Sequence, residues 1–230
     1  MRAYRIVVFF FLVAASVPAS AQRGFHSRNV APKAKLLKRV ALTFDACPTH
    51  HRSGYDSLVI QTLIETKTPA TLFLSGLWVK KHTRQTQFLS SVPQFEIANH
   101  SYSHPHLKEA SDRETRSEIQ KTNELLMKLG CKKPTFFRPP YGEFDERTER
   151  LVSEAGMRLI EYDVASGDPD TAISTQRLVR YVVNSVKHGS IVIMHMNQRG
   201  KHTAEALPVI IKQLREKGFE LVKVSGLAAH

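Results

Sequence analysis

The sequence predicts a parallel α/β fold, closed or nearly closed as a barrel, in a single domain, and three observations carry that prediction. Five short apolar runs each stop at a residue able to bind a metal, a proton or an anion: Val40–Phe44 at Asp45, Phe95–Asn99 at His100, Thr135–Phe137 at Arg138, Leu159–Tyr162 at Asp163 and Ile191–Met194 at His195. Segments with helical spacing fill the gaps, so strand and helix alternate about seven times, the order of a parallel sheet. The length suits one domain, since single domains commonly run from about 50 to 250 residues. Such folds place the carboxyl ends of their strands on one face and build their active sites there. The five residues are therefore expected to converge.

The chain starts with targeting rather than structure. Arg2 and Arg5 precede an apolar stretch, Ile6–Ala15, followed by Ala19, Ser20 and Ala21, which is the pattern of a secretory signal peptide over residues 1–21. The stretch is short of the roughly 20 apolar residues that span a bilayer, so an uncleaved anchor is the weaker reading and no stable membrane insertion is expected after cleavage. Residues 22–37 read as a basic tether too polar to pack, and 38–230 as the folded domain. An exported, periplasmic or secreted monomer is the expectation.

The elements of that domain follow in order. After the strand ending at Asp45, a helix is predicted over Tyr55–Glu65, with Leu58, Val59, Thr62 and Leu63 at helical spacing, then a strand over Ala70–Leu74. Ser111 and Glu114 form a capping box that opens a helix to about Leu129, and Gly130 supplies its stop. Asp145 caps a helix to Ala155 with Gly156 as terminator. Helices over Thr175–Val186 and Thr203–Lys217 and a strand over Glu220–Val224 complete the pattern, with Pro208 a potential kink. Lys80–Ser90 and Asn197–His202 read as loops and as the places where substrate specificity resides.

The net charge is +12, which favours anionic surroundings. Lys and Arg are nevertheless scattered over every segment, without a nucleic-acid-binding motif, so a solvated basic surface is the reading and nucleic acid is not an expected partner. Two cysteines in an exported chain invite a disulfide. Cys47 follows its strand and Cys131 precedes another, so they should lie on opposite faces, about 15 Å apart at roughly 3.3 Å per residue. A disulfide needs α-carbons within about 7 Å, so two free thiols are expected.

Candidate chemistry sits at the strand ends. His100 and His104, at i and i+4, would face one side of a helical turn, as a divalent-metal site requires. Asp45 suits a general base for an attacking water, if Arg138 holds it ionised through a bidentate fork; a purely structural Asp–Arg pair is the alternative. Pro139 and Pro140 remove two backbone donors, leaving the amide of Tyr141 as the first one able to point at a developing oxyanion. His195 is either a satisfied core histidine or a general acid, and Asp168 is placed to hydrogen-bond it and raise its pKa.

Together these residues resemble the polysaccharide deacetylase family, the NodB-homology domain of carbohydrate esterase family four. The resemblance runs from about Lys38 to Gly226 and rests on six motifs in the family's order: Thr43-Phe44-Asp45, Pro69–Gly76, His100–His104, Arg138–Gly142, Asp163–Asp168 and Ile191–His195. It implies a distorted (β/α)7-type barrel that removes N-acetyl, and sometimes O-acetyl, groups from an amino-sugar glycan such as peptidoglycan, chitin oligomers or poly-N-acetylglucosamine, using a divalent metal, most often zinc. It further implies Asp45 as base, His100 and His104 as metal ligands, Arg138 orienting Asp45, Tyr141 as oxyanion donor, and His195 as acid backed by Asp168.

Two positions depart from the family pattern. Where the family usually has a second Asp to complete the metal's ligands, this chain has Ala46, and Pro169 stands where a tryptophan commonly lines the site. Candidates for the missing ligand are Asp45 itself, Cys47, His50, His51 and Asp56, all offering zinc-binding atoms. The alternative is a catalytically impaired homologue that keeps glycan binding.

Overall fold

The computed structural model describes residues 38–48 and 54–227. The expected signal peptide and tether, and the candidate ligands His50 and His51, lie outside the described residues. Among the described residues no helix is long and apolar enough to cross a membrane.

The elements run β1 (Lys38–Ala46), α1 (Ser57–Glu65), β2 (Ala70–Leu74), α2 (Gly76–Lys81), α3 (Thr83–Ser91), β3 (Phe95–Asn99), α4 (Asp112–Lys128), β4 (Phe136–Phe137), α5 (Glu146–Glu154), β5 (Arg158–Leu159), β6 (Val164–Ala165), α6 (Thr175–Ser185), β7 (Ser190–His195), α7 (Thr203–Glu216), β8 (Phe219–Val222) and α8 (Val224–Leu227). All pairings are parallel, in the order β5-β4-β3-β2-β1-β7-β6, with β8 beside β1. The sheet curls into a half-barrel with helices against it. β1 is long enough to have three neighbours: β8 along Lys38–Ala41, β2 along Thr43–Ala46 and β7 along Val40–Asp45.

Strand alternation divides β1 between two environments. Val40, Leu42, Phe44 and Ala46 join the main core, which also holds Val59 and Leu63 of α1 and Ile210 and Leu214 of α7. Ala41 faces the inside of the curl with Phe73, Ala98 and Phe136, and Val224 and Leu227 of α8 pack into the same cluster. Phe137, Ile119, Val152, Met157 and Leu107 pack α4 and α5 against β4.

Local chemistry explains most boundaries. Asp56 caps α1, accepting from the amides of Leu58 and Val59 at 3.2 and 3.3 Å, so the helix starts two residues later than the spacing predicts. Ser111 and Glu114 form the expected capping box of α4, and Asp145 caps α5. Gly130 and Gly156 follow their helices with φ of 88° and 74°. Pro208 sits inside α7 without ending it.

Three expectations need correction. Residues 80–90 are largely helical, in α2 and α3, rather than a loop. The run before Asp163 forms only the two-residue β5, and β6 starts after Asp163. Asp163 instead accepts from the Ser190 hydroxyl at 2.8 Å and the Ile191 amide at 2.7 Å, which ties it to the start of β7, at the opposite end from His195. It is a structural residue at the amino end of the sheet and does not join the site.

Candidate active site

The four remaining strand ends meet as expected. β1 and β7 lie in register with Asp45 opposite His195, and the amides of His100 and Arg138 extend the ladder to Leu74 and Asn99. Asp45 and Arg138 are buried, at 2% and 1% exposure. Arg138 donates from Nη1 to Asp45 Oδ1 at 2.7 Å and to Thr43 Oγ1 at 2.8 Å. The expected bidentate fork is replaced by a single contact to the carboxylate, because Nε and Nη2 turn towards the carbonyls of Ile160 and Glu161 at 3.4 and 3.5 Å. The guanidinium lies 4.0 Å above the ring of Phe73, so apolar and polar neighbours together fix its orientation. Burial alone would raise the pKa of Asp45, but the charge and hydrogen bond of Arg138 override it and hold the carboxylate below its ordinary range.

His100 and His104 come together without a helical turn. Asn99 Oδ1 accepts the amide of Ser101 at 2.8 Å, Ser101 Oγ accepts that of His104 at 3.1 Å, and Ser101 and His104 take left-handed backbone with φ of 60° and 65°. This tight turn brings the two imidazole centroids to 4.8 Å. The i, i+4 pairing holds, but asparagine chemistry at the strand end produces it rather than helix geometry.

His100 Nδ1 lies 2.8 Å from the carbonyl of Arg138, which can only accept, so this nitrogen carries the proton and Nε2 keeps its lone pair. That lone pair faces Cys47 Sγ at 3.5 Å and Asp45 Oδ2 at 3.5 Å. One ligand atom each from Cys47, His100 and His104 lie within 4.8 Å of one another. Burial lowers the pKa of His100, and burial with the neighbouring His100 pushes His104 down to about 3, so both imidazoles are neutral and able to ligate. Burial and the charge of Asp45 push the Cys47 thiol up, a shift that a bound cation would reverse. One thiol and two oriented neutral imidazoles form a donor set suited to zinc.

The other candidate ligands divide clearly. Ala46 is in the main core and offers no donor. Asp56 spends its carboxylate on the amino end of α1. Asp45 borders the cluster while remaining tied to Arg138. Cys47 and Cys131 are free thiols, as the topology argument expects.

Asp168, which is buried, and His195, which is partly exposed, form the second pair. Asp168 Oδ1 lies 2.9 Å from His195 Nδ1 and accepts from Ser166 Oγ at 3.0 Å, while Oδ2 accepts the His195 amide and the Thr203 hydroxyl, both at 2.7 Å. The position of Gly200 has no room for a Cβ, which would run into Asp168 and Thr203. Burial would lower the pKa of His195, but the hydrogen bond and charge of Asp168, with Asp45 beyond, raise it overall. The loop after β7 is anchored too: Asn197 Nδ2 donates to the carbonyl of Cys47 at 2.8 Å and Asn197 O accepts the amide of Gly54 at 3.1 Å.

Tyr141 has a φ of 61°, in a turn closed by the amides of Gly142 and Glu143 to the carbonyls of Pro139 and Pro140. Neither bond uses the Tyr141 amide. Its ring is half exposed, stacked on His106 at 4.1 Å and 7° and set edge-on to His104 at 4.5 Å. Sequence reasoning did not find His106, Asn99, Thr43 or Thr203. Asn99 was the most accessible of these, since an asparagine directly before a ligand favours a side-chain-closed turn.

The polysaccharide deacetylase family model matches residues 33–160. The chain is 30% identical over 190 residues to a peptidoglycan-N-acetylglucosamine deacetylase from Bacillus cereus, covering 82% of this chain and 67% of that protein. It is 31% identical to a bifunctional xylanase/xylan deacetylase from Cellvibrio japonicus, covering 78% of this chain but only 26% of that protein. Among solved structures it is similar to a CE4 family pseudoenzyme from Bacillus anthracis, with a TM-score of 0.74 and 30% identity over 84% of this chain and 66% of that one. A mutant of that pseudoenzyme with restored enzymatic activity matches equally well. The matching family model, the shared fold and the converging strand-end motifs place this chain in the polysaccharide deacetylase family, carbohydrate esterase family four.

Proposed function

We propose that this protein is an exported, monomeric hydrolase that removes acetyl groups from an N-acetylated amino-sugar glycan, with a divalent metal, zinc by the chemistry of its donors, held by Cys47, His100 and His104. The observation that carries this reading is the pairing of two dyads, the buried Asp45–Arg138 and the partly exposed Asp168–His195, with Asp45 and His195 opposite each other on adjacent strands beside that donor set. The cysteine stands in for the acidic ligand that Ala46 cannot provide. A bound divalent ion supplies Lewis acidity towards the acyl oxygen and favours ionisation of a nearby water.

The protein's own groups account for the rest. Asp45, held ionised by Arg138, takes the proton of the attacking water. The Tyr141 amide, fixed behind two prolines, donates to the oxygen on which charge develops. His195, with Nδ1 turned to Asp168, presents Nε2 to the leaving amine and protonates it. The alternative is a glycan-binding pseudoenzyme, favoured by Ala46 and by the similarity to the Bacillus anthracis protein.

Metal content and acetate release separate the two. Purified protein supplied with zinc should retain about one equivalent through desalting and release acetate from peptidoglycan or chitin oligomers, and Asp45→Asn and His195→Ala should abolish most of that release. Glycan binding with neither metal nor acetate would establish the pseudoenzyme.

A further inference from the structure

The turn that delivers His104 contains two left-handed residues, a backbone that side-chain-bearing residues adopt only where their surroundings impose it. Two helices impose it here. The amides of Gly76 and Leu77 in α2 donate to the carbonyls of Ser101 and Tyr102 at 3.0 and 2.9 Å. From α4, Glu118 Oε2 accepts the amides of Tyr102 and Ser103 at 2.8 and 2.7 Å, and Oε1 accepts the Ser103 hydroxyl at 2.8 Å. Gly76 has no room for a Cβ against the Tyr102 ring, so the turn is closed on that side as well. The Glu118 carboxylate has no ion pair among the described residues, and all three of its hydrogen bonds go to this turn.

We propose that Glu118 is a positioning residue for His104: by holding two consecutive amides and a hydroxyl, its carboxylate fixes the turn at 101–104 and so sets the imidazole of His104 against Cys47 and His100. The inference rests on the metal-site reading above and extends it, since Glu118 bonds to none of the three ligands. Its carboxylate acts at one remove, through the backbone, as supporting groups around metal ligands do.

The test compares wild type, Glu118→Ala and Glu118→Gln for zinc affinity, measured by competition with a chromophoric chelator. Supporting groups of this kind typically contribute about 10–100-fold, so Glu118→Ala is expected to weaken zinc by that factor. Glu118→Gln, whose carbonyl oxygen accepts both amides, is expected to restore most of it. Unchanged zinc affinity in Glu118→Ala overturns the proposal, and so does a loss that only parallels a lower thermal midpoint of the metal-free protein. Hydrogen exchange on the metal-free protein gives a second readout: Glu118→Ala should speed exchange at Tyr102, Ser103 and His104 and leave β1 unchanged. If wild type binds no zinc, the metal reading fails on that result alone. Unchanged exchange at those three amides would then overturn the positioning role separately.

Discussion

Replacing Arg138 by Met removes the guanidinium hydrogen-bonded to Asp45 while keeping comparable apolar bulk against Phe73. The size of the effect follows from what is left behind. Thr43 Oγ1 still donates to the Val192 carbonyl at 2.7 Å, and the Ile160 and Glu161 carbonyls lose only long contacts at 3.4 and 3.5 Å. The dominant cost is a buried Asp45 charge without a partner, and breaking such a pair from one side typically costs about 3–5 kcal/mol. A domain of this kind has about 5–15 kcal/mol in total, so the variant should lose from about a fifth to nearly all of its stability. Urea denaturation at pH 7 measures it directly. In Asp45→Asn/Arg138→Met no unpaired charge remains, so the double variant should be more stable than the sum of the single effects implies, with a coupling of about 2–3 kcal/mol. An Arg138→Met cost under about 1 kcal/mol, or strict additivity, would refute the account of why Asp45 stays ionised.

Further expectations concern the metal, the acid and the loop beside it. Cys47→Ala should weaken zinc by more than the roughly 10–100-fold typical of supporting residues, and the cobalt-substituted protein should lose its thiolate-to-metal charge-transfer band; a band that survives would remove Cys47 from the ligand set. His195→Ala should lower acetate release by about 10²–10⁴-fold, and because Asp168 raises the pKa of His195, Asp168→Asn should shift the alkaline limb of the pH profile to lower pH. The same raised pKa contributes stability that is fully present below the unfolded value of about 6.5 and is lost as pH rises through the folded one, so the urea midpoint of Asp168→Asn should fall below wild type mainly at acid to neutral pH. Gly200→Ala should cost about 1–3 kcal/mol by pressing on Asp168 and Thr203, with activity falling alongside, and a neutral result in both denaturation and acetate assays would show that the loop yields freely.

The sequence made the architecture legible because each strand is an apolar run with a distinct stop, and the caps at Ser111 and Asp145 are local interactions that need no tertiary context. It also placed Asp45, Arg138, Asp168 and His195 correctly in relation to one another. Asp163 failed because a strand end and the residue before a new strand look alike in sequence; only the pairing with Ser190 and Ile191 places it at the amino end. The identity of the third donor stayed open because five neighbours had suitable atoms, and which of them faces His100 depends on how the chain leaves β1. Glu118 could not be found, since one glutamate among many on a polar helix surface carries no pattern of its own.

The three neighbours of β1 give the two walls of the site different dynamics. Amides of a strand flanked by β2, β7 and β8 are expected to exchange with solvent only when the whole domain unfolds, and Asp45 shares that protection. The wall carrying His104 hangs from a turn tied to α2 by two backbone hydrogen bonds and to α4 through the Glu118 carboxylate, and it is expected to open locally with the base still in place. An ion would therefore enter and leave from the His104 side, on a timescale set by that turn and independent of the domain's lifetime.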